Sequence, residues 1–164
     1  MTKWIAIALC VAACGKGDGK AADKGGLAAS FDEYKAKSMA TEAKLNLNKI
    51  SKLAKVKAAE ASKFPAGTAA ATPAGKCCDG PDHKCAVDAA AFAKDPVWQA
   101  LEFSVDEPSR YQYSYTGTDT AFTAMAVGDL DCDGKMATYV MTGTLGPDGM
   151  PGKAELTEPP AGTW

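Results

Sequence analysis

Three aspartates at alternate positions form the sharpest chemical pattern in the chain. Asp129, Asp131 and Asp133 are followed directly by Gly134. Alternate residues of a bending loop can direct their carboxylates to one point, and Ca²⁺ prefers several oxygen ligands at about 2.3 to 2.6 Å, while glycine permits the sharp turn. The segment therefore predicts a calcium-binding turn.

This segment departs from an EF-hand loop. Counted from Asp129, the twelfth position is Val140, where an EF-hand has a bidentate glutamate. No pair of flanking helices is indicated either, which disfavours an EF-hand. The alternative to a calcium site is an exposed acidic turn held by a disulfide at Cys132, and the residues alone leave both interpretations open.

Cysteine is the second chemically informative residue type. Two of the six cysteines lie within the first 14 residues, which leaves Cys77, Cys78, Cys85 and Cys132. An even number in an oxidising compartment favours two disulfides. Adjacent cysteines rarely bond to each other because the resulting geometry is strained. We therefore expect Cys77 and Cys78 to divide Cys85 and Cys132 between them, in an order that the sequence leaves open.

A metal site is the alternative use of these thiols. It would combine Cys77, Cys78 and Cys85 with His83, the single histidine of the chain. The adjacent thiolates and the lack of a second CxxC pair disfavour zinc. We expect His83 to be a solvated loop residue.

The first 15 residues have the order of an export signal. Lys3 is followed by an apolar run from Trp4 to Ala13 and then by Cys14-Gly15, which resembles the lipobox of a bacterial lipoprotein. Ten helical residues rise only about 15 Å, half of a ~30 Å hydrocarbon core. We expect residues 1–13 to be a cleaved signal peptide and Cys14 to carry the lipid that anchors the protein in the cell envelope, with Gly15 favouring the outer membrane.

Charge is distributed unevenly along the chain. Eight lysines accompany four acidic residues between Asp32 and Lys63, whereas six basic residues accompany fourteen acidic ones from Lys76 onward. The lysines alternate with Ala, Leu and Asn rather than with aromatic residues, and the chain carries an export signal. We therefore expect a solvated helix face and no nucleic-acid partner.

Local patterns predict a flexible tether followed by a long helix. Residues 14–29 are rich in glycine, which is typical of a tether. Ser30 and Glu33 have the spacing of a capping box, which predicts that a helix begins with Ser30 as its N-cap. Pro65 disfavours helix at Phe64 and so predicts the end of this helix. A helix of about thirty residues would be about 45 Å long, so its first part is expected to project from the domain. Apolar residues at intervals of three and four predict its buried face, namely Met39, Ala43, Leu47, Ile50, Ala54, Ala58, Ala61 and Phe64.

The middle of the chain predicts a loop and then a short helix. Residues 66–75 consist only of Ala, Thr, Pro and Gly, which predicts a loop. Asp95 is placed to cap a helix that starts at Pro96, where the missing N–H costs nothing. This helix would direct three side chains into the core, Trp98, Leu101 and Phe103.

Three strand-like runs complete the domain. They cover residues 111–116, 121–127 and 136–142, and the turn Gly117-Thr118-Asp119 makes the first pair a hairpin. We expect the tyrosines at 111, 113 and 115 to share one partly buried face. The order predicts an α+β domain over 30–164, in which a long N-terminal amphipathic helix packs on a small antiparallel sheet stapled by disulfides.

Four strings of residues resemble the head domains of type IV pilins and pseudopilins. Residues 39–47, MATEAKLNL, are similar to the exposed half of a pilin helix. Residues 98–103, 111–113 and 128–131 are similar to pilin head domains, particularly the deltaproteobacterial type with paired cysteines before the tryptophan. The resemblance implies a projecting helix on an antiparallel sheet, often with a calcium or disulfide staple in the C-terminal loops, and a structural role.

One departure from pilins shapes the functional expectation. The chain lacks the apolar half-helix that anchors a pilin and forms the filament core, and the tether stands in its place. We expect an envelope-anchored pilin-like lipoprotein that acts as a structural or protein-interaction module with a type IV pilus or type II secretion apparatus. The alternative is a calcium- or ligand-binding surface lipoprotein. We expect no enzyme, because neither a catalytic triad nor a glycine-rich phosphate loop is visible.

Overall fold

One helix packs on a five-stranded antiparallel sheet. The computed structural model describes residues 24–160 of the 164-residue chain, without the side chains of residues 24–29, 32 and 33. Two short helices lie between the first and second strands, and the strands follow chain order across the sheet. The elements are α1 (Lys24–Ala61), β1 (Gly67–Thr72), α2 (Ala89–Lys94), α3 (Pro96–Leu101), β2 (Gln112–Gly117), β3 (Ala121–Gly128), β4 (Ala137–Thr144) and β5 (Glu155–Thr157). The predicted α+β class is confirmed.

Helix α1 begins earlier than its sequence signals predicted. Its first residue is Lys24, so Ser30 lies inside the helix and the predicted N-cap there is wrong. The predicted tether, 14–29, therefore contains helical residues from 24 onward. Ala, Leu and Lys have high helix propensity, and adding a turn to an existing helix is easier than nucleating a new one. These residues extend the helix despite the two glycines near its start.

Most of the predicted buried face of α1 is confirmed. Leu47 and Ile50 are fully buried, and burial extends towards the N-terminus as far as Ala36. The helix ends at Ala61 because Ser62 adopts a left-handed conformation with φ of 54°. Phe64 remains in the core outside the helix, whereas the predicted burial of Ala61 is wrong, since that residue is exposed.

The short helix α3 forms as its local signals predicted. The Asp95 carboxylate accepts hydrogen bonds from the backbone N–H groups of Val97 (2.8 Å) and Trp98 (3.1 Å). The Trp98 side chain is fully buried, and its Nε1 donates a hydrogen bond to Thr72 Oγ1 at 3.2 Å. Because Thr72 lies in β1, this bond joins α3 to the edge of the sheet. Leu101 and Phe103 are buried as predicted.

The sheet is larger than predicted because two edge strands carry weak signals. Residues 66–75 were predicted as a loop, yet Gly67–Thr72 pairs with β2 in antiparallel register. This strand contains only Gly, Thr and Ala, so its pairing and the complete burial of Ala69 stabilise it rather than large apolar side chains. Glu155–Thr157 pairs with β4 at the opposite edge. The three central strands match the predicted runs to within two residues at each end.

Aromatic side chains fill the space between α1 and the sheet. Tyr111, Tyr113 and Tyr115 are fully buried, so the prediction of a partly buried face underestimated their burial. The Tyr113 hydroxyl accepts a hydrogen bond from Asn46 Nδ2 at 2.8 Å, and Tyr115 stacks on Phe122 with ring centroids 5.8 Å apart. These rings therefore connect the helix to the central strands.

The buried tyrosines predict unfolding at alkaline pH. Burial is the largest cause that raises the pKa of Tyr113 to about 12, and it raises the pKa values of Tyr111 and Tyr115 as well. Because the folded protein holds these protons more tightly than the unfolded chain, their contribution to stability is complete below pH ~10 and falls as the pH rises towards 12. We expect the tyrosinate absorbance of these three residues to increase over the same pH range in which the near-ultraviolet circular dichroism is lost. Ionisation of these tyrosines near pH 10 with the fold intact would contradict their burial.

Candidate functional site

Two disulfides organise one end of the molecule. Cys77 is bonded to Cys85, and Cys78 is bonded to Cys132. The expectation that the adjacent cysteines would take different partners is confirmed, and the structure supplies the pairing that the sequence left open. With these thiols in disulfides, the alternative metal site with His83 does not form. His83 is exposed, as expected, but it ends a single 3-10 turn, Pro81–His83, rather than lying in a loop. Cys78 thereby fixes the loop between β3 and β4.

That loop brings the three predicted aspartates together. Carboxylate oxygens of Asp129, Asp131 and Asp133 lie within 4.8 Å of one another. The turn is sharp, with φ of 63° at Cys132 and 90° at Gly134. Glycine adopts such angles at no steric cost. The backbone therefore places three acidic oxygens around one point, as the alternate spacing predicted.

Hydrogen bonds already occupy part of this acidic cluster. Asp129 accepts bonds from the N–H groups of Asp133 (3.1 Å) and Gly134 (2.9 Å). Lys135 Nζ forms an ion pair with the Asp133 carboxylate, and that hydrogen bond is the main cause that lowers the pKa of Asp133. A calcium ion would compete with this ammonium group. Three carboxylates supply only part of the six to eight oxygens that Ca²⁺ takes, so carbonyls or water would complete the shell.

A cavity of about 180 Å³ adjoins the loop. Lys76 and Arg110 bring positive charge to its lining, and Asp129 brings negative charge. Cys77 and Cys78 form part of the same wall. Charges of both signs next to rigid disulfides could orient a small polar ligand. Sequence reasoning missed the contribution of Arg110, which no local motif marks.

The string that resembles a pilin helix makes several of the polar contacts between α1 and the rest of the domain. Glu42 Oε1 accepts hydrogen bonds from Ser109 Oγ (2.5 Å) and from the Arg110 backbone N–H (2.9 Å). Lys44 forms an ion pair with Glu158 at 2.7 Å. The polar residues of this string therefore hold the helix in register on the segment that enters β2 and on the C-terminal segment.

The outer face of the sheet is uncharged across its three central strands. Met125 lies at its centre, between Ser114 of β2 and Val140 of β4. The flanking rows are equally free of charge, although 23% of the chain is charged. The alternation of residues in each strand predicts which positions face outward, but only the register shows that they form a grid. Its other members are Gln112, Val127 and Thr138 in one row and Thr116, Thr123 and Thr142 in the other.

Comparison with known proteins assigns no family to this arrangement. No family model, curated protein or solved structure matches the chain. Cys14 and the predicted signal peptide lie outside residues 24–160, to which the structural description is confined. Among those residues, no helix has the length and apolar character needed to cross a membrane.

Proposed function

We propose that this protein is a pilin-like lipoprotein, anchored in the cell envelope through acylated Cys14, that serves as a structural or protein-interaction module. Its partner would be a component of a type IV pilus or a type II secretion apparatus. Acylation by more than one chain would provide stable attachment, since a single chain binds only marginally. In this proposal the lipid replaces the apolar half-helix of a pilin.

The arrangement of α1 on the sheet supports the pilin-like part of the proposal. A helix packs on an antiparallel sheet, and Glu42 and Lys44 of the pilin-like string make polar contacts with the segments next to β2 and β5. A disulfide from Cys78 staples the loop before β4. These are the features that the resemblance implied, and in the proposal they form a long N-terminal amphipathic helix with a rigid head.

The uncharged outer sheet face is the observation that carries the interaction role. Protein interfaces are depleted in charge at their centres. The Met125 side chain is 37% exposed in the middle of this face, with neutral neighbours in both adjacent strands. Such a surface can pack against another protein without leaving buried charges unpaired.

Site-specific photo-crosslinking in native membranes tests this role. A photoreactive amino acid at Met125 is expected to yield adducts with a pilus or secretion component, identified by mass spectrometry. The same amino acid at the exposed Lys94 of α2 serves as the control, because it lies away from the sheet face. Absence of such adducts at Met125, or identical adducts at both positions, would count against the proposal.

A calcium-binding surface lipoprotein is the second candidate function, and the grouped oxygens of Asp129, Asp131 and Asp133 favour it. If calcium binds, the melting temperature in millimolar Ca²⁺ should exceed that in chelator, since a ligand at 100 times its Kd adds about 2.7 kcal/mol. Asp131→Asn should remove the difference, whereas Asp119→Asn, an exposed aspartate in another turn, should preserve it. Equal melting of the parent protein under both conditions would exclude a stabilising calcium site.

A further inference from the structure

Helix α1 has an apolar stripe on the side that faces away from the sheet. Phe31, Tyr34, Leu45 and Val56 are 67%, 72%, 66% and 52% exposed. At 100° per residue they fall within an arc of about 60°, and this arc lies roughly opposite the buried face centred near Leu47. Core packing therefore does not account for these four residues. We call them the outer stripe.

Lysines lie beside the outer stripe. Lys35 and Lys52 are exposed and fall within about 70° of its centre by the same helical geometry, and the exposed Glu60 is an acidic residue in the same arc. Neither lysine forms an ion pair among the described residues. Between Asp32 and Lys63 lysines outnumber acidic residues by eight to four. A surface with this excess of positive charge repels a second copy of itself and attracts an anionic partner.

We infer that the outer stripe and its lysines bind the surface of an anionic lipid bilayer. Aromatic and aliphatic side chains that enter the headgroup region, flanked by lysines that contact anionic lipids, are the two elements of interfacial helix binding. The two aromatic residues lie in the half of α1 nearest the proposed anchor. Ten positions separate Cys14 from Lys24, a span of at most about 35 Å.

This orientation goes beyond the proposed function and is compatible with it. Because α1 packs on one face of the sheet, its outer stripe and the outer sheet face around Met125 point in opposite directions. With α1 against the bilayer, the uncharged sheet face would be directed away from the lipid. A protein partner could then reach it. Contact with lipid and contact with a partner would use separate surfaces.

Vesicle sedimentation of the chain from Gly15 to Trp164 tests the inference without the lipid anchor. This segment retains the entire described core and both disulfides. We expect it to partition at least tenfold more strongly onto phosphatidylethanolamine vesicles containing phosphatidylglycerol than onto neutral phosphatidylcholine vesicles. Raising the salt to about 0.5 M should remove most of this preference, because the Debye length shortens.

Paired substitutions separate the outer stripe from net charge. Lys35→Glu with Lys52→Glu should weaken partitioning onto anionic vesicles at least tenfold, since each lysine near such a surface contributes about 1 kcal/mol. Phe31→Ser with Tyr34→Ser should weaken it as well. Lys94→Glu with Lys153→Glu makes the same charge change at exposed positions elsewhere and should have a much smaller effect.

Three outcomes would overturn the inference. They are equal binding to neutral and anionic vesicles, equal losses in the stripe and control pairs, and a lipid-free dimer that Leu45→Arg dissociates. The last outcome would assign the stripe to a second copy of the chain. Acylation at Cys14 is tested separately on the native protein, so failure of one proposal does not decide the other.

Discussion

Replacing Cys78 and Cys132 together by alanine is expected to lower the free energy of unfolding by about 4 kcal/mol. The bond joins residues 54 positions apart, and a crosslink that closes a longer loop removes more entropy from the unfolded chain. Cys77–Cys85 spans only 8 positions, so its removal should cost about 2.6 kcal/mol on the same basis. Urea unfolding of both double variants and the parent measures the two losses.

The comparison of the two pairs isolates the effect of loop length. Each double variant lacks one disulfide, and the two bonds that are removed begin at neighbouring residues, Cys77 and Cys78. The long-range bond also holds the loop that presents Asp129, Asp131 and Asp133. Equal losses, or a larger loss for the Cys77–Cys85 pair, would contradict the role assigned to the bond with Cys132.

Leu47→Ala is expected to destabilise the protein by about 3 kcal/mol, because truncation of a buried leucine removes apolar contacts and leaves a cavity. Leu47 is fully buried between α1 and the sheet. Leu45, two residues earlier in the helix, is 66% exposed and provides a matched control. Leu45→Ala should change the free energy of unfolding by less than about 0.5 kcal/mol.

Urea unfolding of the two leucine variants tests which face of α1 packs on the sheet. A large loss for Leu47 together with a small one for Leu45 would support the described packing. A loss at Leu45 as large as that at Leu47 would mean that the helix is rotated. It would also remove the outer stripe as an exposed surface.

The sequence predicts those helices and strands that have a characteristic local residue pattern. The Asp95-Pro96 pair gave the start of α3, and alternating side chains gave the three central strands. In contrast, β1 contains only Gly, Thr and Ala, and it exists because β2 offers an edge and Ala69 fits against the core. Tertiary contacts therefore stabilise this strand, which explains why the local residue types of 66–75 predicted a loop.

The two ends of α1 could not be predicted from local motifs, whereas its buried face could. The residues from Lys24 onward favour helix only modestly, and continuity with a packed helix decides their state. At the other end, the left-handed Ser62 stops the helix before Pro65, a conformation that no local motif marks. The intervening buried face followed from spacing alone, since one helix face must pack against the sheet.

The candidate site was predictable in composition but not in arrangement. The alternate aspartates predicted a carboxylate cluster, and the cysteine count together with the adjacency of Cys77 and Cys78 limited the disulfides to two pairings. Only the fold brings Cys132 close to Cys78 and adds Lys135 as a competitor for the Asp133 carboxylate. The uncharged sheet face depends on strand register, which a single strand does not reveal.

Mass spectrometry of the N-terminal peptide from protein purified out of native membranes tests the central proposal most directly. The proposal of a lipid-anchored envelope module predicts that the mature chain begins at Cys14 and that this residue carries more than one acyl chain. A mature chain that begins at any other residue, or an unmodified Cys14, would contradict it.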